Sequence, residues 1–211
     1  MDITSTIKNL HPLEIKVLLK YTQNDELTSS RLQKELDYKE GHANQAFSWL
    51  GGKELVKEVS RTPHTFFEIT DLGRQLAKDG TVEERAVKFV KENGAKTLPE
   101  IAQGIGVEQK DIGSAFGQLS KEGIFKMNEE KKAEYTGKEL PSRITLTSSL
   151  LKKASESSDG TLNQDDLSKE ELEVLSGLAK KRGATDSPFK TYTRETVVYK
   201  LCGESDAVAA E

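Results

Sequence analysis

Cysteine is nearly missing from this sequence: Cys202 is its only copy, so an internal disulfide is excluded. With a single cysteine, a zinc finger is excluded as well. Long hydrophobic runs are also missing, since none approaches the roughly 20 residues that a membrane-spanning helix needs. The segment Met1 to Lys20 lacks the basic-then-apolar layout of a signal peptide. These absences predict a protein of the cytoplasm, a reducing compartment, that holds no metal.

Aromatic side chains and an excess of one charge sign are scarce too. Aromatics make up 6% of the residues, and 31 basic residues stand against 35 acidic ones. A protein that holds nucleic acid mainly by counterion release normally has a strong basic excess. Any contact with nucleic acid is therefore expected to be local or aided by a partner. The balance of 35% hydrophobic and 31% charged residues suits several small modules better than one large globule.

Residues 1–80 show the order of elements that is typical of a winged helix-turn-helix module. Pro12 opens an amphipathic helix, Thr28 can cap a second helix, and a third ends at Gly51-Gly52. The strand formers between Leu55 and Thr70 predict a β-hairpin with its turn at Pro63, followed by a short closing helix. Three short helices and a two-stranded ribbon define that module, whose third helix is usually the reader of nucleic acid.

Residues 81–140 repeat this pattern at a constant offset of 69 positions. Apolar residues recur in fixed register through the second helix, the turn and the third helix, which predicts a second copy of the module. The matched pairs are Leu32/Ile101, Leu36/Ile105, Tyr38/Val107, Ala46/Ala115, Phe47/Phe116, Leu50/Leu119 and Leu55/Ile124.

Residues 141–202 indicate a third, degenerate module with two or three helices and a β-rich end. The small, acidic stretch 203–211 predicts a disordered tail. The expected fold class is thus mainly α with small β-hairpins, arranged as tandem winged-helix modules of which two are clear.

Motifs for catalysis are absent from the sequence. It has no phosphate-binding loop of the G-x-x-x-x-G-K-[ST] type, no H-E-x-x-H and no G-x-S-x-G. The paired carboxylates Asp165-Asp166 and Glu170-Glu171 lie where a helix begins, so they favour interaction with the helix dipole over acid–base chemistry. We therefore expect no catalytic residue and no cofactor in this chain.

Two stretches resemble a known family. The run RTPHTFFEITDLG at residues 61–73, followed by Asp79-Gly80 and Glu83-Glu84-Arg85, resembles the first winged module of the phenylalanyl-tRNA synthetase alpha subunit of the archaeal and eukaryotic cytosolic type. LAKKRG at 178–183 and FKTYT at 189–193 resemble the segment that precedes the catalytic domain of that subunit. The two matches occur in the right order and bracket the repeat.

The resemblance implies a function outside catalysis. In that family, three N-terminal winged-helix domains contact the outer corner of the tRNA, and a class II catalytic domain follows. The present sequence shows no class II motif with its ATP-binding arginines, so ATP and Mg²⁺ are expected to belong to a catalytic domain that it lacks. The implied partners are tRNA(Phe) and the synthetase beta subunit. Whether the chain is a fragment, a truncated product or a free-standing relative stays open.

The candidate RNA contacts are basic side chains of the expected wing and of the C-terminal third, which could meet phosphates or stack on an exposed base. Each group of candidates also has an alternative without RNA. The wing could be a solvated turn, and the lysines beside Glu54 and Glu58 could be ordinary surface residues. The cations at the helix C-terminus could simply complement the helix dipole. The candidates are Lys53, Lys57, Arg61, His64, Lys180, Lys181, Arg182, Lys190 and Arg194.

The third helix offers a polar face formed by Lys39, His42, Asn44, Gln45 and Ser48. In a DNA reader this face would meet base edges. The deep major groove of A-form RNA hides its bases, so base reading by this helix is not expected for tRNA. Trp49 is expected to pack rather than to stack on a base. Two other functions stay open: a winged-helix DNA-binding regulator and a protein-interaction module.

Overall fold

The computed structural model describes residues 3–179 and 187–211, which are mainly helical and carry small antiparallel sheets. The chain forms two compact units, one of residues 1–64 and 193–211 and the other of residues 65–192. Strand β1, Val56–Ile69, and strand β5, Phe189–Leu201, each contribute residues to both units.

The first unit is built on four helices at the N-terminus and one at the C-terminus. Its core joins residues from 17 to 56 with Leu201 and Val208 from the end of the chain. The helices are α1 (Ile3–Lys8), α2 (Pro12–Lys20), α3 (Ser29–Leu36), α4 (Glu40–Gly52) and, near the C-terminus, α11 (Ser205–Ala209).

The second unit contains two hydrophobic cores. One is formed by residues 82–144 and the other by Phe67, Ile69 and residues 150–189. Its helices are α5 (Asp71–Asp79), α6 (Val82–Asn93), α7 (Leu98–Ile105), α8 (Gln109–Lys121), α9 (Ser142–Glu156) and α10 (Lys169–Ala179). Its short strands are β2 (Phe125–Met127), β3 (Ala133–Tyr135) and β4 (Thr161–Asn163), and a turn of 3-10 helix spans Gln164–Asp166.

The repeat expected from the sequence is present in the backbone. Helices α3 and α7, and helices α4 and α8, begin and end at positions that differ by 69. Asp37 and Gly106, again 69 apart, both adopt the left-handed conformation after their helix. Each copy also has a single-residue antiparallel bridge before its second helix, Leu27 to Tyr199 in the first and Lys96 to Ala133 in the second. The two copies therefore share one local fold.

The hairpin expected at Pro63 is wrong. Residues 56–69 form one continuous strand, and the partners of β1 are β5 and β4, in the order β4-β1-β5. Strand β4 pairs with Phe66, Phe67 and Glu68, so its register does not extend to Pro63. A proline is tolerated in a strand where one side lacks a ladder partner. The break that the sequence indicated at Pro63 thus lies inside a continuous strand and is not a turn.

The ends of the expected modules also differ from the structure. Helix α5 was expected to close the first module, yet Leu76 and Ala77 pack on the core of the second unit that contains Leu150 and Phe189. The start of α5 is packed closely against the backbone of Pro188, because a Cβ atom added to Gly73 would lie 2.3 Å from the carbonyl oxygen of Pro188.

The expectation of disorder beyond residue 202 is wrong. Ser205–Ala209 is helical, and Val208 lies in the core of the first unit. Composition predicted disorder because small and acidic residues dominate the segment. In the structure, Val208 and Ala209 pack the short helix on the core of the first unit.

Candidate nucleic-acid interface

Arg61 lies within β1 and is engaged by two carboxylates. Its Nε and Nη2 atoms donate to Glu58 at 3.0 and 2.8 Å, and its Nη1 atom donates to Glu195. These hydrogen bonds, first of all those with Glu58, raise the pKa of the guanidinium and lower the pKa of the Glu58 carboxyl. Arg61 is therefore not a free cation at the tip of a wing, as expected, but part of a surface ion-pair cluster on a sheet.

Lys53 has a structural partner. Its Nζ atom lies 2.7 Å from Oε1 of Glu14, whose side chain is only 1% exposed. The other carboxylate oxygen of Glu14 accepts the backbone N–H of His11 at 2.7 Å and so caps helix α2. A buried carboxylate is costly unless it is paired, so Lys53 is held by this pair. Its charge neutralises a buried carboxylate of the first unit.

The remaining candidates within the described residues lie on strands β1 and β5. Lys57, Lys190 and Arg194 are exposed on β1 and β5, and His64 is half-buried on β1. Lys190 belongs to the second unit, whereas Lys57, His64 and Arg194 belong to the first. Lys180, Lys181 and Arg182 lie outside the described residues.

The outward face of α4 is exposed, as its polar composition predicted. Lys39, His42, Asn44, Gln45 and Ser48 all lie at the surface, while Ala43, Ala46, Phe47 and Leu50 are buried. Trp49, which was expected to pack, is packed only in part. Trp49 is 36% exposed, and its ring centroid lies 4.7 Å from that of His11, with the two planes tilted by 55°.

Helix α2 carries apolar side chains that are exposed. Ile15 is 39% exposed and Leu19 is 70% exposed, whereas Glu14, Val17 and Leu18 are buried. Five apolar residues crowd this short helix, more than one face can bury. The signal that could have revealed the exposed side is the spacing of His11, Ile15 and Leu19, which are one turn apart and turned away from the buried Val17.

The second unit contains a two-stranded antiparallel hairpin, β2–β3. The side chain of Asn128 orders its turn by accepting the N–H groups of Glu130 and Lys132 at 3.0 and 2.9 Å. Cations on this hairpin are matched by carboxylates, since Lys132 pairs with Glu130 and Lys126 with Glu134. The hairpin is thus nearly neutral and offers little attraction for a polyanion.

The described residues contain neither a membrane-spanning helix nor a metal-binding cluster. No helix in residues 3–179 or 187–211 is long and apolar enough to cross a bilayer. No group of three or more histidine, cysteine, aspartate or glutamate side chains is arranged there to hold a metal ion.

Comparison with known proteins places the chain among subunits of an aminoacyl-tRNA synthetase. The phenylalanine–tRNA ligase alpha subunit of Treponema pallidum is 39% identical over 98% of the chain. That of Borreliella burgdorferi is 31% identical over 92% of the chain. The archaeal alpha subunit of Methanopyrus kandleri is 26% identical over 62% of it. No family model matches the sequence.

The chain is thus homologous, over nearly its whole length, to a part of the phenylalanine–tRNA ligase alpha subunit. The family resemblance that residues 61–73 and 189–193 suggested is confirmed. The chain spans 43% of the length of the Treponema pallidum subunit and 36% of that of Borreliella burgdorferi.

Proposed function

We propose that this chain is a tRNA-binding appendage of a phenylalanine–tRNA ligase alpha subunit, built from tandem winged-helix modules and supporting aminoacylation of tRNA(Phe) without catalysing it. The observation that carries the proposal is the relationship to alpha subunits over 98% of the chain. The repeated three-helix arrangement supports it, because small helical modules of this kind commonly recognise nucleic acid by shape and phosphate contacts.

The order of elements in the second copy supports the proposed winged-helix assignment. There, α6 is followed by the bridge at Lys96, then by α7, α8 and the hairpin β2–β3, whose strand β3 accepts the bridge at Ala133. The first copy has the same order from α2 to β1, but the strand that accepts its bridge at Leu27 is β5, at Tyr199. We propose that both copies are winged-helix modules and that the first takes its last strand from the distant end of the chain.

Chemistry and the remaining partners belong, in this proposal, to the part of the relatives that this chain does not span. ATP, Mg²⁺ and phenylalanine would bind there, and the beta subunit would assemble with the whole alpha subunit in the cytoplasm. Among the candidate residues, Lys57, Lys190 and Arg194, together with Lys180, Lys181 and Arg182, would contribute phosphate contacts. Arg61 and Lys53 are weaker candidates, because carboxylates already compensate them.

A salt titration of RNA binding tests the proposal. Fluorescence anisotropy of labelled tRNA(Phe) would be measured with the full 211-residue chain at several salt concentrations, beside a duplex DNA of equal charge. We expect a salt-sensitive preference for tRNA, since phosphate contacts release counterions. Preference for the duplex would instead favour a DNA-binding regulator. Absence of binding to both nucleic acids at low salt would contradict the proposal.

A further inference from the structure

The outer surface of helix α2 differs in charge and polarity from the surfaces described above. Ile15, Lys16, Leu19 and Lys20 are all exposed, and the only acidic residue of the helix, Glu14, is buried and paired with Lys53. The preceding helix α1 contains no acidic residue and ends at the exposed Lys8. The exposed side chains that α2 itself contributes are therefore only apolar or cationic.

The lysines of this face have fewer carboxylate partners than Arg61 on strand β1. Lys16 forms no ion pair with any described residue, in contrast to Arg61, which is bound by two carboxylates. Lys20 acts through its charge on Glu35, a carboxylate that is already bound by Arg31. Such lysines are suited to phosphates, which attract cations without demanding a fixed geometry.

Aromatic rings flank the same face. His11 precedes the first residue of α2, and its ring lies against the exposed indole of Trp49. Positions 11, 15 and 19 are one helical turn apart, so they form one stripe that begins at this aromatic pair. Single-stranded or unstacked nucleotides are held by such a combination, in which aromatic and apolar side chains contact base faces while lysines contact the backbone.

The second copy of the repeat serves as an internal reference. At the offset of 69, the positions of Ile15, Leu19 and Trp49 are occupied by Glu84, Lys88 and Gln118. The buried positions behave differently, since Val17, Leu18 and Tyr21 match Ala86, Val87 and Val90, which are also buried. The apolar stripe is thus a property of the first copy alone and is not required by the shared fold.

We propose that this surface, which we call the α2 face and define by His11, Ile15, Lys16, Leu19, Lys20 and Trp49, is the site where the chain holds an unstacked nucleotide of RNA. Lys16 and Lys20 contact phosphates, and the His11–Trp49 pair with Ile15 and Leu19 contacts the base and ribose. The proposal rests on the proposed function and assigns the contact to a surface outside the basic candidates of β1 and β5.

Trp49 makes the test direct, because it is the only tryptophan of the chain. Its fluorescence would be recorded while an unmodified tRNA(Phe) transcript is added to the full chain, with anisotropy of labelled tRNA measured in parallel samples. We expect quenching of Trp49 that follows the same binding curve as the anisotropy. The variant Trp49→Ala should bind on the order of tenfold more weakly, as expected for loss of a stacked base.

A charge variant tests the lysines. K16Q/K20Q should reduce the slope of log affinity against log salt by about 2, roughly one for each lost phosphate contact. The matched control is K152Q/K153Q, which removes two exposed lysines from α9 and should leave affinity and slope unchanged. Each variant is expected to fold, because the substituted side chains all lie at the surface: Lys16, Lys20, Trp49, Lys152 and Lys153. Circular dichroism of each variant would verify this.

The outcomes separate this inference from the proposed function. Binding by anisotropy without a change in Trp49 fluorescence, and with equal affinity of K16Q/K20Q and its control, would overturn the α2 face as an RNA site. The proposed function would then stand, and the α2 face would be assigned to contact with a protein. Absence of RNA binding in the unaltered chain would overturn both.

Discussion

The two copies of the repeat share a local backbone fold but neutralise an equivalent glutamate in different ways. In the first, Glu14 is paired with Lys53. At the offset of 69, these two positions are Glu83 and Glu122, so the second copy places two carboxylates where the first has an ion pair. Arg143, from α9, donates to both of them at distances of 2.9 to 3.0 Å.

The difference shows how a repeated module becomes tied to its surroundings. The first copy neutralises Glu14 with a residue of its own, whereas the second depends on a side chain from the helix that follows it. Ile144, one residue beyond Arg143, is buried in the same core as α6 and α8. Charge and packing together thus fix the start of α9 on the second copy.

Matched core truncations should have the largest effects. Leu50 and Leu119 occupy equivalent, fully buried positions. Leu50→Ala and Leu119→Ala should each lower the free energy of unfolding by about 3 kcal/mol, through lost burial and the cavity left behind. Urea denaturation followed by circular dichroism would measure this. A loss below about 1 kcal/mol at either site would contradict their equivalence, and Leu19→Ala on the exposed face is the control.

Removal of Lys53, the partner of Glu14, should cause the next largest loss of stability. Lys53→Met leaves a carboxylate that is 1% exposed without its cation, which should cost about 2 kcal/mol of stability. The double variant Glu14→Gln/Lys53→Met should regain part of this loss, because no unpaired charge remains. A double-mutant cycle in urea measures the coupling. Simple addition of the two single effects would show that the pair contributes nothing.

Arg143→Met should have a smaller effect, about 1 kcal/mol, since its side chain is 38% exposed and solvent screens the interaction. The guanidinium lowers the pKa of Glu122. A lowered pKa in the folded state stabilises above the unfolded-state pKa, and this contribution is lost as the pH falls through the folded-state pKa.

The variant should therefore lose stability near neutral pH and approach the unaltered chain in acid. Thermal unfolding across acidic to neutral pH would measure this convergence. An equal loss of stability at every pH would show that Arg143 acts through packing alone. Arg74→Met, an arginine of α5 that is also in the second unit, is the control.

Much of the local fold could be predicted from sequence because local rules govern it. The cap at Thr28 and the apolar register at offset 69 both correspond to observed helices. The pairing of β1 could not be predicted, because its partner β5 is more than a hundred residues away and the proline within β1 imitated a turn. Helix α2 buries Glu14 and exposes Leu19. Tertiary contacts decide this, and the polarity of either residue would predict the opposite.

The candidate site was harder to predict than the fold. A sequence shows where a cationic residue stands but not which residue lies next to it in the fold. Lys53 and Arg61 were therefore candidates for RNA contact, although each is bound by a carboxylate. The exposed apolar stripe of α2 was hidden for the opposite reason, because an apolar residue on an amphipathic helix is normally assigned to the core.

Footprinting of tRNA(Phe) by hydroxyl-radical cleavage, with and without the full chain, tests the central claim most directly. If the chain is the tRNA-binding part of a phenylalanine–tRNA ligase alpha subunit, protection should be confined to the outer corner of the tRNA and should fade as salt rises. Protection of the anticodon or acceptor end instead, or an unchanged cleavage pattern at saturating protein, would contradict it.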